Sequence, residues 1–395
     1  MKIPKERQAQ KSLRTYIKHV GNHAKHGMVK CTLLFLAFLL ISSCTPPRET
    51  IKAGVIAPLT GDFASYGIAM RNGIEIAKDE INFKGGIQGR PVEVFFEDAC
   101  LPKDSLTSAD TLVNAKDVDF ISGVFCIIGV NPIATVTEKA NMSLMVTAAV
   151  PDSVLISGGY IFSTNVAIKN EASAQADFAI DNLHSKTAGV VFIDSDFGIS
   201  FKNGFVKRFQ ERGGIVLLQD KIDFAGVDFR SQLTKVKEKN PDVLLAVHLG
   251  NQMGILLEQA KELGIKARII GTYEAEDPAV LSIAKDSAEG FIISTHQSKD
   301  NPTKEWFVKE YERRFHDPPA LVASNAYDAL ILQTRAYAHC NGDRVCIKEK
   351  LKSSLNYEGA SGVFSILPDH TSDKAIMFKI VENGAFHSIS ILENH

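Results

Sequence analysis

Between Ile51 and Asp98 the chain runs IKAGVIAPLTGDFASYGIAMRNGIEIAKDEINFKGGIQGRPVEVFFED, a stretch that admits few folds. Ile51–Pro58 is an apolar run closed by a proline, and Thr60–Tyr66 is small and polar. Met70, Ile74, Ala77 and Ile81 then recur at helical spacing before a glycine turn and a second strand-like run. Strand, loop, helix, turn and strand make a βαβ unit, whose two strands pair in parallel. Such a unit presents the loop after its first strand, and the N-terminus of its helix, at the carboxyl edge of the sheet, where open α/β folds bind ligands.

The same grammar continues. Helix Asp104–Ala115, strand Asp119–Val124, helix Val130–Ala140, strand Leu144–Val146, a short helix Pro151–Ile156 and strand Tyr160–Ser163 extend the first lobe. A second series opens near Asn165 with helix Glu171–Leu183, strand Ala188–Ile193, loop Asp194–Gly198 and helix Ile199–Arg212. Strand Ile215–Asp220, helix Asp228–Glu238, strand Asp242–His248, helix Gln252–Leu263 and strands Arg268–Gly271 and Gly290–Ser294 follow. The remainder reads as helices Pro302–Phe315, Leu321–His339 and Arg344–Leu351, then strands Gly362–Ile366, Lys374–Val381 and Phe386–Ile391. A late helical block after two similar lobes sends the chain back to the first lobe and out again to the second, three crossings in all, which is a hinge architecture. The expected fold is α/β, two Rossmann-like lobes with parallel central sheets joined by a three-stranded hinge. Lobe 1 is drawn over residues 51–165 and 296–361, lobe 2 over 166–295 and 362–395.

Residues ahead of this body have a different character. Cys31–Ile41 is an apolar run too short to span a membrane comfortably. Lys30 precedes it and Ser42-Ser43-Cys44 follow, the layout of a lipoprotein signal whose cysteine is lipidated and becomes the new N-terminus. A plain secretory signal or a signal anchor is the competing reading. Residues 1–43 are thus expected to be the signal, 44–50 a linker, and Met28 the true start, because Met28-Val29-Lys30 forms a compact basic segment. Loss of residues 1–43 removes eight of 44 basic and one of 46 acidic side chains, leaving a net charge of −9. That balance argues against nucleic acid as a partner, since phosphate neutralisation needs a basic face.

Four cysteines remain in the mature chain: Cys100, Cys126, Cys340 and Cys346. An even count in an exported chain implies disulfides. Cys340 and Cys346 can close a loop across a turn, and Cys100 and Cys126 pair by elimination; zinc is the rival reading, weakened by the lack of a flanking histidine. Catalytic patterns are missing. Gly85-Gly86-Ile87-Gln88-Gly89 follows a helix and precedes a strand, the reverse of a dinucleotide loop, and Asp196-Phe197-Gly198 lacks the other kinase motifs. There is no nucleophile elbow, no His-Glu-x-x-His and no ligand spacing among the histidines. No enzyme, cofactor or metal is expected.

Ordered motifs carry a family resemblance. Pro58-Leu59-Thr60-Gly61, Ser65-Tyr66-Gly67, Gly73, Ile81-Asn82, Gly85 to Arg90 and Glu97-Asp98-Ala99-Cys100 resemble the leucine/isoleucine/valine-binding proteins, the type I periplasmic substrate-binding proteins of ABC importers. Gly123 to Cys126, Asp228-Phe229, Gln252–Gly254, Ser287 to Gly290 and Tyr327-Asp328-Ala329 extend the match over most of Ile51–Ile391. The resemblance implies an exported, monomeric receptor that closes on a small molecule and delivers it to a permease, with no chemistry performed on the ligand. Its first-lobe disulfide matches Cys100 and Cys126.

What the resemblance implies for the pocket is uneven. Amino-acid binders fix the ligand carboxylate with a serine after the second disulfide cysteine and with small residues and a threonine after the next strand. Here those places hold Ile127 and Thr147-Ala148-Ala149-Val150, so Thr147 and backbone amides are the remaining donors. An aromatic residue is kept as Tyr66; one tyrosine becomes Phe197 and another Leu249. The acid that receives the ligand ammonium aligns with Glu274, with Tyr273 and Glu276 adjacent. Packing roles compete for Tyr66, Phe197, Ile127 and Leu249, and a solvated role for Glu274. With fewer polar handles, the cargo is expected to be an amino-acid-like molecule or another carboxylate or amide less polar than a zwitterion. A sensory protein presenting its ligand to a receptor or regulator is the alternative.

Overall fold

The computed structural model describes residues 50–151, 154, 159–297 and 300–389. The signal, Cys44 and most of the expected helix 151–156 lie outside the described residues, as does the end of the last strand. β1 (Ile51–Ala57) is an interior strand of the first sheet, its run buried on both faces as parallel pairing on each side requires. β2 (Val92–Asp98) and β3 (Phe120–Val124) flank it in parallel, and β4 (Leu144–Val146) and β5 (Ile161–Ser163) complete the order β2-β1-β3-β4-β5. Connecting helices are α1 (Ala64–Phe83), α2 (Pro102–Asp110) and α3 (Val130–Lys139), α2 running on into a wide turn at Thr111–Ala115.

The second sheet has the order β14-β13-β10-β9-β8-β6-β7. Its parallel part is β6 (Thr187–Ile193), β7 (Ile215–Ile222), β8 (Val243–Val247), β9 (Arg268–Gly271) and β10 (Ile292–Gln297). Crossover helices are α4 (Ile168–Asp181), which leads in, α5 (Asp196–Glu211), α6 (Arg230–Lys239), α7 (Gly250–Glu262) and α8 (Pro278–Ala284). α8 lies where no helix is expected from periodicity; Asp277 caps it by accepting the Ala279 N–H at 2.8 Å, ahead of Pro278 in the first turn.

From β10 the chain returns to the first sheet through α9 (Pro302–Phe315), α10 (Leu321–Cys340) and α11 (Arg344–Lys352). A two-stranded ribbon follows, β11 (Tyr357–Gly359) with β12 (Gly362–Phe364). β13 (Ala375–Glu382) and β14 (Ala385–Ile389) then add antiparallel strands to the second sheet. α10 crosses α1 so closely that a Cβ at Gly73 would stand 2.1 Å from the Ala323 carbonyl oxygen. One core gathers residues of 51–162 and 307–366, including Phe120, Phe162, Phe307 and Tyr327. The other gathers chiefly residues of 168–293, including Phe201, Phe205, Phe229 and Phe291. Phe364 and Ile366 pack in the first core, past the boundary drawn at 362.

Two of the crossings run side by side. Ser163 N–H donates to the His370 carbonyl at 2.8 Å and Ser372 N–H to the Asn165 carbonyl at 2.9 Å. Lys374 Nζ, fully buried there, donates to the Thr164 carbonyl (2.6 Å), Asn325 Oδ1 (2.7 Å) and Ser361 Oγ (2.6 Å). Burial pulls its ammonium down to about 7, against the pull of Asp328. Both cysteine pairs are disulfides, Cys100–Cys126 and Cys340–Cys346. Among the described residues no cluster of histidine, cysteine or acid is arranged for a metal, and no helix is long and apolar enough to cross a membrane.

Candidate functional site

The loops at the carboxyl ends of both parallel sheets face one another, each held by its own short-range chemistry. After β1, Asp98 fastens the loop by accepting the Leu59 N–H (2.8 Å) and the Thr60 hydroxyl (2.6 Å). Gly67 lets the first turn of α1 press on that loop, since a Cβ there would sit 1.9 Å from the Pro58 carbonyl oxygen. Tyr66 is thereby carried on the helix rather than on the loop expected from the sequence. After β3, the Cys100–Cys126 bridge precedes the tight turn Ile127–Gly129. On the opposite side Ser195 caps α5, its oxygen 3.3 Å from Gly198 N, and so sets Phe197 in the first turn.

A narrow cavity lies between these loops. The first half contributes Phe63, Phe125, Ile127, Ile128, Ala148 and the Cys100–Cys126 bridge. The second contributes Ile193, Phe197, Phe224, Leu249 and Glu274. Of the residues singled out in the sequence, Ile127, Ala148, Phe197, Leu249 and Glu274 therefore meet at one cavity. Thr147, Ala149, Tyr66 and Tyr273 are not in its wall. Thr147 is fully buried, with its hydroxyl donating to the Val124 carbonyl at 3.1 Å, and Ala149 packs in the second core. Tyr273 packs against His296, ring centroids 4.9 Å apart.

Tyr66 instead joins the two halves. Its hydroxyl donates to the backbone carbonyl of Glu274 and accepts the Gly250 N–H at 3.1 Å, while its ring stacks on Phe125 at 4.5 Å. Burial, then the Asp277 charge, push the phenol well above its ordinary range, so it stays a neutral donor. Ser65 Oγ donates to Asp277 Oδ2 at 2.6 Å, Gln252 Nε2 to Asp62 Oδ2 at 3.1 Å, and Asn131 Nδ2 to Asp196 Oδ2 at 3.2 Å. Phe63 meets Phe224 with centroids 5.2 Å apart. These contacts all run from one core to the other, and they define the closed state of the cleft.

Glu274 carries the electrostatics of the site. It is 2% exposed, and neither carboxyl oxygen has a hydrogen-bond partner. Burial, then the charge of Glu171, push its carboxyl well above the usual carboxylate range. Glu171 on α4 is fully buried; its Oε1 accepts the Ser294 hydroxyl (2.5 Å) and the Tyr273 N–H (3.2 Å), and its Oε2 lies 3.5 Å from His296 Nε2. At the cavity edge, His248 Nδ1 accepts the Leu249 N–H at 2.8 Å and Nε2 points to the Asp223 carbonyl at 3.4 Å. Burial holds that imidazole down at about 4. Phe63, Phe125, Ile128, Ile193 and Phe224 were not singled out from the sequence, because isolated apolar residues at strand ends carry no pattern that separates a cavity wall from a core.

Two parallel-sheet halves, wound through one another by paired crossings and closed over a cavity at their strand ends, define a hinged ligand-binding protein. The chain belongs to the periplasmic binding protein family, whose pattern it matches over residues 50–385. It is 26% identical over 312 residues to the leucine-, isoleucine-, valine-, threonine- and alanine-binding protein of Pseudomonas aeruginosa, a match that spans 78% of this chain and 83% of that one. A leucine-binding protein from Thermotoga maritima superposes with a TM-score of 0.83 at 25% identity, covering 87% of this chain and 99% of the other. A solute-binding protein of an ABC transporter from Rhodopseudomonas palustris, solved with 3,4-dihydroxybenzoic acid, superposes at 0.77 and 25% identity over 86% and 96%. The family is one of exported binding proteins rather than enzymes.

Proposed function

We propose that this chain is the extracytoplasmic substrate-binding component of an ABC importer, taking a small ligand into the interlobe cavity and presenting the closed form to a membrane permease. The observation that carries the reading is the cavity itself, closed between two sheet ends by Tyr66 and furnished with one buried, unpartnered carboxyl. Relatives that bind branched-chain amino acids and 3,4-dihydroxybenzoic acid support a small organic ligand. The two cores act as two lobes hinged at the crossings, divided near the boundaries drawn from the sequence but with Phe364 and Ile366 on the first and His296 and Gln297 on the second. Cys44 anchors a monomer to the membrane by its lipid, on the periplasmic or extracellular face; lipoprotein modification adds more than one acyl chain, enough for stable attachment.

Deletion of the gene tests the role directly. Loss of uptake of the bound ligand is the expected result; intact uptake with loss of a ligand response instead assigns the protein to sensing. Mass spectrometry of the mature N-terminus for acyl groups checks the anchor, and an unmodified N-terminus overturns it.

A further inference from the structure

The hinge and the cavity wall share one set of hydrogen bonds. Thr147 and Ala148 follow β4, and Ala148 lines the cavity. Their carbonyls are held from behind. Asn325 Nδ2 on α10 donates to that of Thr147 at 3.2 Å, and Ser163 Oγ, where the first crossing begins, donates to that of Ala148 at 3.0 Å. Asn325 and the first crossing are in turn held by Lys374, on the crossing that leads into β13. Its Nζ gives one hydrogen to Asn325 Oδ1, one to the carbonyl of Thr164, next in sequence to Ser163, and one to Ser361 Oγ, which itself donates to Asp328 Oδ2. An ammonium has three donors and no acceptor, so all three are used. The Phe364 ring supports the charge, its centroid 4.4 Å from Nζ.

We infer that Lys374 is a positioning residue for the ligand cavity: by holding Asn325 and the first crossing it fixes the Thr147–Ala148 wall, so that hinge and wall loosen together rather than separately. This inference rests on the reading of the chain as a hinged receptor. The charge on Lys374 makes the coupling visible. Burial takes the ammonium down to about 7 from an ordinary 10.5, with Asp328 and Asp373 opposing. An opening that wets Lys374 returns it to the ordinary value and takes up a proton. Between 7 and 10.5 that opening therefore becomes harder as pH rises; the contribution is complete above 10.5 and is lost as pH falls through 7. The other groups facing this charge are Asp328 from α10, Asp373 and His370 on the same crossing, Tyr357 from β11, which donates to Asp328 Oδ1 at 3.1 Å, and Arg335 of α10 over the Tyr357 ring. Burial lifts Tyr357 well above 10.0 and lowers His370 from 6.5, so neither titrates between pH 7 and 9.

Hydrogen exchange read by mass spectrometry on the full chain decides it. Protection is measured from pH 7 to 9, corrected for the intrinsic exchange rate, in peptides spanning 144–150, 160–168 and 366–376. In the wild type it is expected to rise at least tenfold over that range, and by a similar factor in all three peptides. Lys374→Met is expected to abolish the rise in all three. Ser361→Ala keeps the lysine but removes its bridge to Asp328, so the rise is expected to begin at lower pH; this variant decides the matter where the methionine variant fails to fold. A flat wild-type profile overturns the inference, as does a rise confined to the crossings and missing from 144–150. A rise that survives in Lys374→Met, or an onset unmoved by Ser361→Ala, overturns it equally. None of these readouts uses a ligand or a permease, so each leaves the receptor reading to be judged by the uptake phenotype.

Discussion

His248 makes the stability of the second core depend on acid. Its ring is fully buried beside Phe229, centroids 5.6 Å apart, and Nδ1 accepts the Leu249 N–H, so the folded imidazole is neutral with its proton on Nε2. Burial holds it at about 4 against an ordinary 6.5. Between those values the unfolded chain binds a proton that the folded chain refuses, so stability rises with pH: the contribution is complete above 6.5 and is lost as pH falls through 4. The gap between 6.5 and about 4 corresponds to about 3 kcal/mol in all, of which about 2 kcal/mol is gone by pH 5. His248→Asn retains an acceptor for Leu249 N–H and removes the titration. Urea unfolding followed by circular dichroism between pH 5 and 7 should show the wild type losing about 2 kcal/mol more than the variant. Parallel pH profiles for the two proteins would refute the assignment. In the folded chain His248 takes its proton only as pH approaches 4, and its bond to the Leu249 N–H is expected to break there.

Other expectations follow from packing and closure. Tyr66→Phe leaves the Gly250 N–H and the Glu274 carbonyl without partners in the closed state, which should weaken closure by about 2 kcal/mol and ligand affinity roughly thirtyfold; small-angle scattering with and without ligand reads the shift toward the open form. Gly73→Ala drives a Cβ into the backbone of α10 and should cost about 2 kcal/mol or more, measured by chemical unfolding; an unchanged midpoint would mean the helices slide apart freely. Cys100→Ser with Cys126→Ser opens a loop of sequence separation 26 and should cost roughly 3.5 kcal/mol, against roughly 2.2 for the Cys340–Cys346 loop of separation 6. Equal losses from the two bridges would count against loop entropy as the main term.

The interior strands were readable because β1, β3, β4, β5, β6 and β8 are buried on both faces. Leu144–Val146 and Arg268–Gly271 have the bounds expected from their apolar runs. Helix starts were read late, Ile168 for α4 and Asp196 for α5, the latter because its first turn answers to the Ser195 cap rather than to periodicity. α8 left the signal Asp277-Pro278 at its start, yet at seven residues it is too short for a periodic pattern. The five cavity residues found in advance came from their places in an ordered family pattern. Glu171, Ser294 and His296 stayed hidden: they sit on one helix and one strand far apart in sequence, and only the sheet brings them behind Glu274.

The interleaving of the two cores reverses the order in which the chain can become stable. The first sheet is made first, yet α10 supplies its cover: Gln333 Nε2 donates to the carbonyls of Ile121 and Ser143, and Ala323 lies on Gly73. Until that helix emerges, the N-terminal third has a bare apolar face, whereas the second core can close largely on residues 168–293. The first core therefore closes only through contacts more than 200 residues apart in sequence, such as Gln333 to Ile121.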